Sequence, residues 1–199
     1  SSNTTGSSNS AFGYKALNAN TIGINNTAVG NLSLLSNTTG SENTAVGYRS
    51  LVTNTIGTGN IAIGSYALQT NTTNNNTAVG YAALASNTIG YGNTAVGLQS
   101  LYTNTTGGSN SAFGINSLLA NTVGSNNNAF GVSALVTNTI GDNNNAFGRN
   151  TLLNNTTGSN NNAFGLYALN GNTTGVSNSA FGRESLFSNT TANANSAFE

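Results

Sequence analysis

At 199 residues the chain has the length of one ordinary domain, and four Lys or Arg balance four Asp or Glu to give no formal net charge. Charged residues make up only 4% of it, which excludes the clustered basic surface of a nucleic-acid binder. The sequence holds no Cys and no His, so it has no disulfide framework, no thiolate metal site and none of the common catalytic triads or dyads.

The rest is one motif repeated from end to end. Glycine returns at Gly13, Gly30, Gly47, Gly64, Gly80, Gly97, Gly114, Gly131, Gly148, Gly165 and Gly182. The step is 17 residues throughout, except that Gly64 to Gly80 is one residue short. A fixed period in this range means a stacked repeat architecture. The repeat reads N-x-A-(V/F)-G-x-x-(S/A)-L-x-x-N-T-x-G-x-x.

Each repeat opens on a predicted strand, first at 9–13, then at 26–30, 43–47 and onward to 195–198. These segments are short, contain β-branched residues and end at Gly, and the frequent glycines and Asn-rich corners rule out a helix of useful length. Residues i and i+2 of a strand share a face. Thr27 goes with Val29, Thr44 with Val46, Thr77 with Val79 and Thr94 with Val96. Ser10 goes with Phe12, Ser111 with Phe113, Asn128 with Phe130 and Asn145 with Phe147, so Phe never accompanies Thr. The two positions are expected to share one packed layer and trade volume within it.

Next comes Leu, at Leu17, Leu34, Leu51, Leu68, Leu84, Leu101, Leu118, Leu135, Leu152, Leu169 and Leu186, expected as a continuous apolar spine. The invariant Ala of the strand (Ala11, Ala28, Ala45, Ala62 and their copies) implies a place too tight for anything larger. Phe113, Phe130, Phe147, Phe164, Phe181 and Phe198 should stack ring on ring, in the column that Val and Ile fill from Val29 to Val96. Two Asn ladders complete the frame. One runs through Asn20, Asn37, Asn54, Asn71, Asn87 and Asn104, the other through Asn9, Asn26, Asn43, Asn60, Asn76 and Asn93. Asn tolerates left-handed corners and can bond the copies above and below.

The predicted fold is all-β: a parallel β-solenoid (β-roll or β-helix) of about twelve turns, with two or three short strands per turn. At roughly 4.8 Å per turn the rod is on the order of 55 Å long. Residues 1–199 read as one such domain with no visible caps.

N-T-A-V-G at 26–30, 43–47, 76–80 and 93–97, with N-S-A-F-G at 9–13, resembles the head repeats of trimeric autotransporter adhesins. It is more similar still to the N-T-A-V-G-Y-x-A-L-x-x-N-T-T-G arrays of bacterial surface proteins and phage-type fibres. The resemblance covers essentially the whole chain. It implies a parallel β-roll, an extracellular or cell-surface location and a trimer.

Chemistry is scarce. Glu42, Asp142, Glu184, Lys15, Arg49, Arg149 and Arg183 all fall at variable positions just after a Gly, and no acids pair into a general acid–base site. No recurring Asp exists for calcium. Gly57-Thr58-Gly59-Asn60-Ile61-Ala62 mimics a dinucleotide fingerprint but reads as a chance choice in a repeat. Asn-x-Thr triplets such as Asn37-Thr38-Thr39 read as by-products of the ladder rather than glycosylation sites. No catalytic, cofactor or metal residues are expected, the chain is not expected to be an enzyme, and no apolar run reaches the ~20 residues that span a bilayer.

Two columns are apolar outside the spine. After Leu come Leu35, Val52, Ala85, Tyr102, Leu119, Val136, Leu153 and Phe187, expected by strand alternation to face away from it. After the first Gly come Tyr14, Tyr48, Tyr81, Leu98, Ile115, Val132 and Leu166. Such a face either closes a wider core or packs on neighbouring chains. The end segments, Ser1-Ser2-Asn3 and Phe198-Glu199, are plain repeat, so stacking of copies head to tail would continue nearly the same coil. By phase, Glu199 takes a Gly position and Ser1 resumes about four residues later.

The expected function is that of a structural fibre subunit, with copies of itself as partners. The alternatives are a trimeric adhesin or phage-fibre head that contacts a surface glycan, and an ice-binding protein using Thr ladders such as Thr21, Thr38, Thr55 and Thr72.

Overall fold

A computed structural model describes residues 2–199; Ser1 lies outside the described residues. It contains twelve strands of three residues each. They are β1 (Ser10–Phe12), β2 (Thr27–Val29), β3 (Thr44–Val46), β4 (Ile61–Ile63), β5 (Thr77–Val79), β6 (Thr94–Val96), β7 (Ser111–Phe113), β8 (Asn128–Phe130), β9 (Asn145–Phe147), β10 (Asn162–Phe164), β11 (Ser179–Phe181) and β12 (Ser196–Phe198). All lie in one parallel sheet in chain order. Equivalent residues stack directly, Ala28 on Ala45 and Val29 on Val46. The chain is thus a β-solenoid of about eleven closed turns.

Each turn has one strand, not the expected two or three. The reason lies in the backbone after the first glycine. In the coil that starts at Gly30 (φ 131°), Leu32 and Leu34 are left-handed, at φ 60° and 49°. That conformation costs roughly 1–2 kcal/mol for a residue with a Cβ. It recurs at the spine Leu of every coil from Leu17 to Leu186. The bend turns the side chain inward, and full burial of Leu is worth about 1.5–3 kcal/mol, enough to offset the strain. Leu34 is fully buried, and its N–H donates to the Ser50 carbonyl of the next coil at 2.9 Å. The ladder therefore continues through the bend without a strand: Thr38 N–H to Thr55 O is 2.8 Å and Gly47 N–H to Val29 O is 2.8 Å.

The core is thin. Its apolar part is the Ala and Leu columns, with a small residue such as Ser33 or Ala67 beside each Leu. The rest is amide. Asn37 donates from Nδ2 to Asn20 Oδ1 (2.9 Å) and to the Gly40 carbonyl (2.8 Å). Asn43 donates from its N–H and its Nδ2 to Asn26 Oδ1 (3.0 and 3.1 Å). Asn26 Nδ2 reaches the same Gly40 carbonyl at 2.9 Å. Each second glycine thus ties the two ladders together. A Cβ on Gly40 would lie 2.3 Å from the Gly57 carbonyl, so only glycine fits there. A buried amide left unpaired would cost about 1–3 kcal/mol, and this mesh avoids that at nearly every coil.

The short coil is the exception. Its missing residue is the second glycine: Asn71-Thr72-Thr73 is followed directly by Asn74. The Thr73 carbonyl stands in, accepting from Asn71 Nδ2 (2.9 Å) and Asn60 Nδ2 (2.7 Å). Asn71 no longer bonds the coil before it, and Asn54 Oδ1 is left buried without a partner. The strands on either side still pair in register, Ala62 on Ala78.

Candidate functional site

The outer surface follows from the strand's alternation. In β3 the middle Ala45 is fully buried, whereas Thr44 and Val46 point outward and are half-buried. The Thr–Val and Ser–Phe pairs therefore do share a face, but it is the outside of the rod. One small Ala fills the inside, because the thin core has room for no more.

On this face the phenylalanines stack. Phe113 and Phe130 have ring centroids 4.7 Å apart and planes within 8°. The series continues through Phe147, Phe164 and Phe181 to Phe198 at spacings of 4.7 to 5.2 Å. The coil spacing sets that distance, so the rings overlap because the backbone stacks. From β2 to β6 the same column holds Val29, Val46, Ile63, Val79 and Val96.

The two further apolar columns do not close a wider core. Tyr14, Tyr48, Tyr81, Leu98, Ile115 and Val132 are exposed. In the column after Leu, Val52 and Ala85 are buried, Leu35, Tyr102, Leu119, Val136 and Leu153 are half-buried, and Phe187 is exposed. The segment is a left-handed bend and not a strand, so strand alternation is not what places this column.

At the ends, Ser2 and Asn3 are exposed. Asn3 still joins the mesh, donating to the Gly6 carbonyl (2.8 Å) and accepting from Asn20 (3.1 Å). At the other end Phe198 is 75% exposed, and the Glu199 N–H reaches the Phe181 carbonyl at 2.9 Å. Ser1, counted in the sequence among assembly residues, lies outside the described residues. Among the described residues, β1 and β12 are the first and last strands of the sheet.

The motifs set aside in the sequence find structural roles. Gly59 takes φ 69° in a column where Glu42 (60°) and Asn75 (59°) are also left-handed, and a strand follows it rather than the helix of a dinucleotide site. Asn37 and Asn104 of the Asn-x-Thr triplets are fully buried in the mesh. Among the described residues no three acids, His or Cys gather as a metal site. Arg183 and Glu184 form an exposed ion pair at 3.1 Å, a type worth little. Among the described residues no helix is long and apolar enough to cross a membrane.

A cleft with a volume of about 220 Å³ lies on the side of the rod. It lies beside the short coil. Ala82 and Ala85 form its floor, and Tyr66 with Gln69 on the coil before, and Gln99 with Tyr102 on the coil after, form its walls. Tyr81 flanks it, and Tyr66 is edge-on to both Tyr81 and Tyr48, at 5.8 and 5.3 Å. Of this group Tyr81, Ala85 and Tyr102 stand out in the sequence, each only as a member of an apolar column. Tyr66, Gln69, Ala82 and Gln99 were missed. The signal was present, because Gln69 and Gln99 are the only glutamines in the chain.

No family model, curated protein or solved structure matches the chain. The fold defines it as a parallel β-solenoid repeat protein, and function has to be argued from its surfaces.

Proposed function

We propose that the chain is a structural subunit of an extracellular fibre, assembled by end-to-end and lateral packing of β-solenoids. The observation that carries this reading is the exposed apolar column from Tyr14 to Val132 on a rod without net charge, and the first and last described strands are also alike. From β2 to β6 the outer column is Val or Ile, yet β1, the first, is Ser-Ala-Phe. So is β12, the last. Pairing β12 of one copy with β1 of the next would repeat the β11–β12 register, Ser179 on Ser196 and Phe181 on Phe198. Phe198 and Phe12 are 75% and 79% exposed, and the contact would cover both rings. Such a contact joins two different patches and does not close, so it propagates. Neutrality favours association, because little like-charge repulsion opposes it. The exposed column from Tyr14 to Val132 supplies a lateral surface.

Negative-stain electron microscopy paired with light scattering tests this. Long uniform threads are expected, shortened by Phe12→Asp or Phe198→Asp. A monodisperse monomer at high concentration would overturn the proposal, and discrete rods of three chains would instead support a trimeric adhesin or phage-fibre head.

Ice binding is a second reading, favoured by the outward array of Thr27, Thr44, Thr77 and Thr94 beside Val29, Val46, Val79 and Val96. The sequence had pointed to the Thr21 column instead, whose hydroxyls are engaged with backbone: Thr38 Oγ1 donates to the Thr55 carbonyl at 3.0 Å. Thermal hysteresis, absent or present, decides this reading.

A further inference from the structure

In a chain made of copies, a place that departs from the copies is a candidate for a task that the copies do not perform. The Tyr–Gln cleft is such a place. At the floor positions of Ala82 and Ala85 the other coils carry larger residues, for example Leu32 and Leu35 or Arg49 and Val52. Removing those side chains from one coil opens a notch. The coil before it offers Tyr at the position equivalent to Ala82 and Gln at the position equivalent to Ala85, as Tyr66 and Gln69. The coil after it reverses the order, with Gln99 and Tyr102. The two tyrosines therefore stand at opposite corners of the notch, and the two glutamines at the other two. The walls are two coil spacings apart, roughly 9.6 Å between backbones.

None of the lining phenol or carboxamide groups makes a hydrogen bond within the protein, and none is counted among buried polar atoms without partners. Apart from the exposed Tyr81, they are half-buried polar groups around an apolar floor that is itself nearly covered, Ala82 and Ala85 being 4% and 5% exposed. The volume of about 220 Å³ is below that of drug-sized sites, so the occupant is small. Aromatic rings present flat apolar faces with a polar tip, and a carboxamide donates and accepts at once. The ligand that matches all of this is a ring with apolar C–H faces and a rim of hydroxyls. The absence of charged lining residues argues against a phosphate or carboxylate ligand.

The geometry points to a binding site for one pyranose residue of a neutral glycan, held between Tyr66 and Tyr102 above Ala82 and Ala85, with its hydroxyls held by Gln69 and Gln99. The site needs neither end of the rod, but Tyr81 and Tyr102 also lie in the columns offered for lateral packing, so such packing would compete with the glycan.

Because the chain has only two glutamines, selective labelling with side-chain 15N-Gln gives two carboxamide signals, one on each wall. These would be followed during titration with the methyl glycosides of glucose, galactose, mannose and N-acetylglucosamine. Solution spectra serve for single rods and magic-angle spinning serves for fibres, so the test can be read in either state. Both signals are expected to move together and saturate with at least one glycoside. In the Ala82→Leu/Ala85→Leu variant, which uses the residues of the coil at Leu32 and Leu35, affinity should fall roughly tenfold or more. Tyr66→Ala, which leaves the floor open but removes one ring, should weaken binding as well. Signals that ignore every glycoside, or shifts that persist undiminished in the filled variant, would overturn the assignment.

Discussion

The short coil between Gly64 and Gly80 and the regular coils around it differ by one residue, and the contrast shows which parts of the repeat carry the fold. In a regular coil Asn121 donates to Asn104 Oδ1 (2.8 Å) and the Gly124 carbonyl (2.9 Å), and accepts from Asn138 (2.9 Å). At the short coil Asn54 donates in the same way, to Asn37 and Gly57, but its Oδ1 accepts nothing. Strand register, the Leu spine and the Ala column pass through unchanged, with Leu68 and Ala78 fully buried. A deletion at the second-glycine corner removes one amide link because another backbone carbonyl, that of Thr73, can take the glycine's place. A deletion in the strand or the Leu bend would shift the inward-facing residues out of the core.

This contrast can be broken most strongly at the ladder itself. Asn121→Ala should destabilise by about 3 kcal/mol, since it leaves a buried acceptor and a buried donor unpaired. Asn54→Ala should cost about 1 kcal/mol less, having one bond fewer to lose. Denaturant midpoints of the two variants measured side by side check the difference, and equal losses would show that the short coil is not the weaker link. A smaller effect separates the two halves of the outer face. Phe147→Ala removes a ring stacked on both Phe130 and Phe164 and should cost about 1.5 kcal/mol, whereas Val46→Ala should cost roughly half as much. Thermal melts followed by circular dichroism read both. The smallest effect has the opposite sign. Inserting Gly between Thr73 and Asn74 restores the 17-residue step and should stabilise by about 0.5 kcal/mol, by giving Asn54 Oδ1 its partner. A loss of stability on insertion would mean that the hydroxyl bond from Thr73 to the Gly90 carbonyl (2.7 Å) already makes up for the missing link.

Much of the architecture could be read from the residues. The period, the Ala and Leu columns, the two Asn ladders and the phenylalanine stack all follow from identical residues at a fixed step, because stacking puts like on like. The number of strands per turn could not. Leu is an unusual residue for a left-handed bend, and nothing in its side chain shows that burial outweighs the strain at Leu34. The side of the strand that faces inward was ambiguous for a related reason. Thr44 and Val46 vary together whether they press on a core or on each other outside, and only the size of the invariant Ala45 distinguishes the two. The notch was hidden because its residues lie in three different coils, and they become neighbours only when the columns are aligned across the deletion.

The links between coils run along the rod. Thr38 to Thr55, Leu34 to Ser50 and Asn37 to Asn20 all point from one coil to its neighbour. A pull on the two ends therefore loads every bond of a coil interface in parallel, so they must fail together rather than unzip in turn. Each interface is a fuse of nearly equal rating. The interface between Asn54 and Asn71, the only one among the described residues without a link in the first Asn ladder, is where the rod is expected to part first.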